Sequence, residues 1–263
     1  RRPPRSTLFP YTTLFRSILA TIAVGTYFQT VTGFGLGIIV IGLTVSLNLV
    51  SLPVIAAVVS IVTLFNCLVA LMGKPLLGEL KILVVLVIGI IPGVSLGVFL
   101  LDELSDSATH ILRGLLGAMV LFAGVSFMFK PKTRKDRSVT VSFLVSGFSS
   151  GLAGGLFGMA GPPIVYHLYR QPFTLDLVRS TLLMVFACTS MSRTVNIYAA
   201  GDMEPSILWL SAIAVPLVAL VTMFARRFPP PLSNDQLRKL VFMVLMLIGG
   251  YLMAVSAWSL FLA

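Results

Sequence analysis

Charge is the scarcest property of this sequence. Asp, Glu, Lys and Arg make up 11% of its 263 residues, against about 25% in an ordinary soluble domain. So little charge cannot clothe a water-facing surface, and little of the chain is left for a soluble domain. Acidic residues are rarer than basic ones, nine against nineteen, and none falls inside the long apolar runs, which counts against a carboxylate relay for protons. There are two cysteines, Cys67 and Cys188, each within an apolar run, and two histidines, His110 and His167. Neither pair has the spacing of a disulfide framework or a metal site. A phosphate-loop lysine, a nucleophile elbow and a redox pair are also missing. The expectation is therefore no enzyme, no cofactor, no metal and no nucleotide-driven motor within this chain.

What is present in abundance is apolar sequence. The apolar fraction is 57% and the mean hydropathy +1.01. Apolar segments fall at 18–47, 52–72, 80–101, 108–129, 139–168, 177–199, 206–225 and 237–261. Six of them match one crossing of a ~30 Å hydrocarbon core at ~1.5 Å per residue. The first and fifth are longer and are broken by glycine. The expected fold is an all-α polytopic membrane protein in a cell membrane, the prokaryotic inner membrane, with the lipid bilayer as its main partner. The net charge of +10 is assigned to topology and anionic lipid, not to nucleic acid. A homodimer is compatible with this reading. Residues 1–17, RRPPRSTLFPYTTLFRS, contain TLF twice. They resemble translated adapter read-through and are set aside as a non-native leader.

The two halves align at an offset of about 125 residues. Glu79 corresponds to Glu204, Leu112-Arg113 to Leu237-Arg238, and Gly124 to Gly249, while TGFGLG (32–37) aligns loosely with GGLFGMAG (154–161). This divides the chain into a first repeat at 18–129, a basic loop at 130–138 and a second repeat at 139–263. If all eight segments cross, the cations distribute almost evenly between the two faces. If the first and fifth segments enter and return, Lys74, Lys81, the five cations of 130–137, Arg170, Arg179, Arg226, Arg227, Arg238 and Lys239 share one face, with Arg113 and Arg193 opposite. That distribution fits the positive-inside rule. Each repeat then has three crossings plus one re-entrant hairpin, and the odd number inverts the second repeat.

The broken segments carry the candidate site. Non-helical backbone at membrane depth must be buried in protein or line a wet cavity. In the fifth segment Gly155, Gly158 and Gly161 precede Pro162-Pro163, which suits the start of a half-helix at 164–169. Such a start presents N–H donors and the positive end of the helix dipole to an anion. Thr30, Thr32, Gly33 and Gly35 repeat this logic in the first segment, and Ser149 and Ser150 are further donors. Glycine in these positions also serves close helix packing alone, and freed carbonyls could bind a cation instead. Arg193, well inside the sixth segment, either neutralises a bound anion or snorkels to the interface. Asn196 lies three residues on, near the same face.

TGFGLGIIVIGL (32–43), GFSSGLAGGLFGMAGPPIVYHLY (147–169) and the paired four-segment layout resemble the TauE/SafE family of membrane permeases, also called the sulfite exporter or TSUP family, over about 18–260. The family's motif positions fall here on Gly33, Gly35, Gly155, Gly158, Gly161 and Pro162. Ala160-Gly161-Pro162 stands where the family commonly has Gly-Gly-Pro. The resemblance implies export of a small sulfur-containing anion such as sulfite, sulfoacetate or a taurine-like compound; alternating access between the inverted repeats is the expected mechanism. An anion channel and a non-transporting membrane scaffold are the rival readings.

Overall fold

A computed structural model describes residues 9–47, 49–72, 79–107, 109–128, 133–228 and 234–262. Part of the proposed leader (1–8), together with Lys74, Lys130 and Lys132, lies outside these residues. Every regular element among the described residues is an α-helix: α1 (Phe9–Thr32), α2 (Leu36–Ser46), α3 (Leu52–Leu71), α4 (Leu80–Ser107), α5 (Thr109–Met128), α6 (Thr140–Phe157), α7 (Gly161–Tyr169), α8 (Leu175–Ala200), α9 (Pro205–Arg227) and α10 (Asn234–Leu262). Five of them, α3, α4, α6, α8 and α9, are long and apolar enough to cross a membrane. The chain is an all-α polytopic membrane protein. Bulky apolar side chains such as Leu247 and Trp209 stand more than 70% exposed on its outside, as a lipid-facing surface requires.

Two helices stop early for backbone reasons. α1 ends where Gly33 and Gly35 take φ of 88° and 114°, which a side chain would make costly. α6 ends at Gly158, φ 66°, whose N–H bonds the Gly154 carbonyl. α7 starts with Gly161, Pro162 and Pro163, three residues before the half-helix start read from sequence, because proline is accommodated throughout a first helical turn.

In each case the next helix folds back beside the one just ended. Val40 Cγ2 lies 2.9 Å from where a Cβ on Gly25 would stand, and Gln29 Oε1 accepts the Leu36 N–H at 3.2 Å, so α2 runs antiparallel to α1. Along α6 and α7 the Ser150 hydroxyl donates to the Ala160 carbonyl, and the Phe143 and His167 rings meet edge to face at 4.8 Å. At the open end of that hairpin the Ser138 N–H donates to Gln171 Oε1 at 2.9 Å and Gln171 Nε2 donates back to Ser138 Oγ at 2.9 Å. The Arg134 N–H reaches the Arg170 carbonyl at 2.8 Å. The chain therefore leaves α7 beside the point where it entered α6.

The α6–α7 hairpin is held against α4 by glycine. Gly89, Gly93 and Gly97 face Gly147, Gly151 and Gly155, the two helices running parallel. A Cβ on Gly93 would stand 2.4 Å from the Phe148 carbonyl oxygen, and one on Gly151 would stand 2.4 Å from that of Ile90. Apolar burial drives little helix association in lipid, so this backbone-to-backbone dispersion contact is what binds the pair. α5 and α10 pack antiparallel, with Gly117 against Leu252 and Gly249 against Leu121. The tips of the hairpins meet: Gly37 lies against Met159 and the Gly158 carbonyl, and Gly158 against Ala56 of α3.

Candidate functional site

Between the facing tips is a small cavity lined by both polar and apolar residues. The first hairpin contributes Gln29, Gly35, Gly37 and Ile38, and the second Gly154, Gly158, Met159, Ala160 and Gly161. α3 adds Ser60 and Thr63, and α8 adds Phe186, Thr189, Ser190 and Arg193. Gly35, Gly158, Gly161 and Arg193 are the residues on this wall that the sequence singles out.

Arg193 is the one charged residue on the wall among the described residues, and it is 1% exposed. The interfacial alternative for it is corrected by this burial and by its inward bonds. Its Nε donates to the Gly155 carbonyl at 3.0 Å and its Nη1 to the Ser60 hydroxyl at 3.2 Å. Both acceptors are neutral. Gly155 can release its carbonyl to Arg193 because α6 has no fourth-residue partner for it: the helix ends two residues later. The glycine seam against α4 fixes that carbonyl in place, so helix packing and the position of the charge are linked through one backbone group.

Thr63 carries a second unspent group. Its hydroxyl is buried on the cavity wall and has no hydrogen-bond partner among the described residues. A membrane threonine normally returns its hydroxyl to the carbonyl one turn back, as Thr189 does to Val185 at 2.8 Å. Gln29, by contrast, is fully engaged. Its Oε1 accepts from Leu36, and its Nε2 donates to Asn66 Oδ1 at 3.0 Å and to Cys67 Sγ at 3.7 Å. Asn66 in turn donates to Thr222 Oγ1 at 2.8 Å and Thr30 Oγ1 at 3.3 Å. This amide network joins α1, α3 and α9 in the membrane interior.

The remaining residues from the sequence stand off the cavity. Thr30 bonds the Thr26 carbonyl and Thr32 bonds those of Phe28 and Phe34. Gly33 packs on Arg179. Ser149 bonds the Val145 carbonyl, Ser150 that of Ala160, and Asn196 that of Ser192. Pro162 is buried in the first turn of α7. Some of the helix-start N–H groups are spent or missing. Pro162 and Pro163 have no N–H to give, and the first N–H of α2 is taken by Gln29. Gly37 and Ile38 at the start of α2 and Gly161 at the start of α7 remain on the wall beside the side chains of α3 and α8. Sequence reasoning passed over Gln29, Ser60 and Thr63. A lone amide in an apolar run is a usable signal for Gln29, as it is for Asn66, while small hydroxyls such as Ser60 and Thr63 are too common in membrane helices to stand out.

A bundle of apolar helices, two of them broken at a shared polar cavity, is the architecture of a membrane transport protein. The family described as "Sulfite exporter TauE/SafE" matches residues 17–252, and the chain belongs to it. Among curated proteins it is similar to the "Probable sulfite/organosulfonate exporter TauE" of Cupriavidus necator, 45% identical over 243 residues, which covers 92% of this chain and 95% of that protein. No solved structure matches the chain.

Proposed function

We propose that the chain exports small sulfur-containing oxyanions, sulfite, sulfoacetate or related organosulfonates, by alternating access around the cavity between the two hairpins. Arg193 is the observation that carries this reading. A cation buried in the membrane whose hydrogen-bond acceptors are both neutral is costly, and an oxyanion on its remaining guanidinium edge, with the Thr63 and Ser190 hydroxyls nearby, offsets that cost through charge-assisted hydrogen bonds. The apolar Ile38, Met159 and Phe186 on the same wall suit the carbon part of an organosulfonate. The relative's name points the same way.

On this reading α1–α2 and α6–α7 are re-entrant hairpins from inverted repeats, entering from opposite faces, and α3, α4, α5, α8, α9 and α10 cross. Several observations support it. Both ends of the second hairpin meet at Ser138 and Gln171. Asn66 of α3 and Met72 just after it contact Thr222 and Arg226 of α9 in parallel register. Under exchange of halves α4 corresponds to α9, and each carries one internal proline, Pro92 and Pro216. An exported anion moves down a negative-inside potential worth ~2.3 kcal/mol per charge per 100 mV, so no separate energy source is required.

The test is flux in proteoliposomes with sulfite, sulfoacetate, taurine and sulfate under an imposed potential. A carrier gives saturable, potential-driven sulfite and sulfoacetate flux. Unsaturable conductance identifies a channel, and absence of flux for every anion overturns the transport reading.

A further inference from the structure

We propose that Arg179 is an outer anion-binding subsite, separated from the cavity by the tip of the α1–α2 hairpin. The proposal rests on the transport reading above. Arg179 lies in the second turn of α8. Its Cγ is 3.4 Å from where a Cβ on Gly33 would stand, so its aliphatic stem lies on the backbone of the hairpin tip. Its Nε is buried with no hydrogen-bond partner among the described residues. Asp176, one turn back on the same helix, does not pair with it among those residues, and the Asp176 carbonyl is occupied by the Ser180 hydroxyl at 2.9 Å. A guanidinium presents a planar fork of donors suited to two oxygens of one oxyanion, and here part of that fork is desolvated and unspent.

Position along α8 gives this group its role. Residues seven apart lie within about 20° of one another around a helix at ~3.6 residues per turn. Arg179, Phe186 and Arg193 therefore form one stripe, with Ser190 beside it. Phe186, Ser190 and Arg193 line the cavity. Arg179 lies about 21 Å from Arg193 along the axis, at ~1.5 Å rise per residue. The tip lies between them, with Gly33 against Arg179 and Gly35 on the cavity wall. An anion entering from the end of α8 where Arg170 and the 133–138 loop gather thus meets one arginine before the tip and a second behind it. Both tip glycines, which flank the buried Phe34, have positive φ, and neither adds a side chain to the barrier between the two arginines.

The test is sidedness. Sulfite transport is measured in right-side-out and everted vesicles carrying the wild type, Arg179→Gln or Arg179→Lys. The expected result is a KM about fivefold or more higher for Arg179→Gln when sulfite is offered at the Arg179 face, with Vmax and the KM at the other face unchanged and with recovery in Arg179→Lys. A structural role would move both faces together, so equal changes at both, or none at either, overturn the proposal. An effect that disappears in vesicles of phosphatidylcholine alone assigns the group to an anionic lipid headgroup and also overturns it. Should the wild type move no anion, the transport reading falls by itself. The subsite is then read from thermal stabilisation of the purified protein by sulfite, which Arg179→Gln must weaken for the subsite to stand.

Discussion

At the scale of single residues, the cavity depends on two unspent groups of different cost. Arg193 is a buried charge bonded to two neutral acceptors, the Gly155 carbonyl and the Ser60 hydroxyl. Replacing it with methionine removes an expensive charge while leaving those acceptors unpaired, and these effects oppose each other in stability. Arg193→Met is expected to melt near the wild-type temperature in detergent yet to lose about a hundredfold or more in sulfite flux, the ~3 kcal/mol of a charged hydrogen bond. Thr63 is cheaper to remove because its hydroxyl bonds nothing among the described residues. Thr63→Val is expected to keep full stability and raise the KM for sulfite about threefold to tenfold, as loss of a ~1 kcal/mol hydrogen bond would. A drop in melting temperature without a change in KM would assign Thr63 to packing instead. Arg193 was legible in the sequence because an arginine inside an apolar segment is expensive. Thr63 was not, because only the neighbouring helices decide which of many membrane hydroxyls is left without a carbonyl.

At the scale of elements, the two hairpins are held in different ways. The second rests on α4 through six glycines and is stitched at its base by Ser138 and Gln171. The first is held to α3 and α9 by the Gln29, Asn66 and Thr222 side chains. A Cβ on Gly93 would meet the Phe148 carbonyl oxygen, whereas Gly250 has no neighbour within 4 Å. Gly93→Ala is expected to destabilise by about 1–3 kcal/mol, typical of overpacking, while Gly250→Ala, free of any steric neighbour, leaves the melting temperature unchanged or slightly higher. Equal melting of the two variants would contradict the seam. Asn66 is fully buried. Asn66→Leu removes one hydrogen bond from each of Gln29, Thr30 and Thr222 and is expected to cost about 1–3 kcal/mol, read by thermal unfolding. The glycines and Asn66 were visible in the sequence as unusual residues in apolar helices. Their partners were not, because the contacts join residues up to 156 positions apart.

At the scale of the whole molecule, the proposed topology puts Lys135 and Thr174 on one face and Glu103 on the other. Single cysteines at these three positions, in a chain lacking Cys67 and Cys188, are expected to react with an impermeant maleimide from one side for 135 and 174 and from the opposite side for 103. Labelling of 135 and 174 from opposite sides would mean that α6–α7 crosses, and the inverted-repeat reading would fall with it. The Arg137–Glu79 ion pair, with Arg137 also 5.2 Å from the centre of the Phe173 ring, gathers the start of α4, the central loop and the return of the second hairpin at one end of the bundle. That gathering is consistent with the cation distribution on which the expectation rested.

The amino-acid sequence by itself determined the class of the molecule. Scarce charge and recurrent apolar runs leave helices in a bilayer as the stable solution, because backbone groups in lipid must bond within their own segment. It also determined where helices break, since positive φ at Gly33, Gly35 and Gly158 is a local property of residues without a Cβ. Only the tertiary structure decided what those breaks enclose. It brought Arg193 to the Gly155 carbonyl, spent the first N–H of α2 on Gln29, and left Thr63 without a partner among the described residues. Each of these depends on which carbonyl of one helix faces which side chain of another, and that is set by close packing between helices rather than by the order of residues within one.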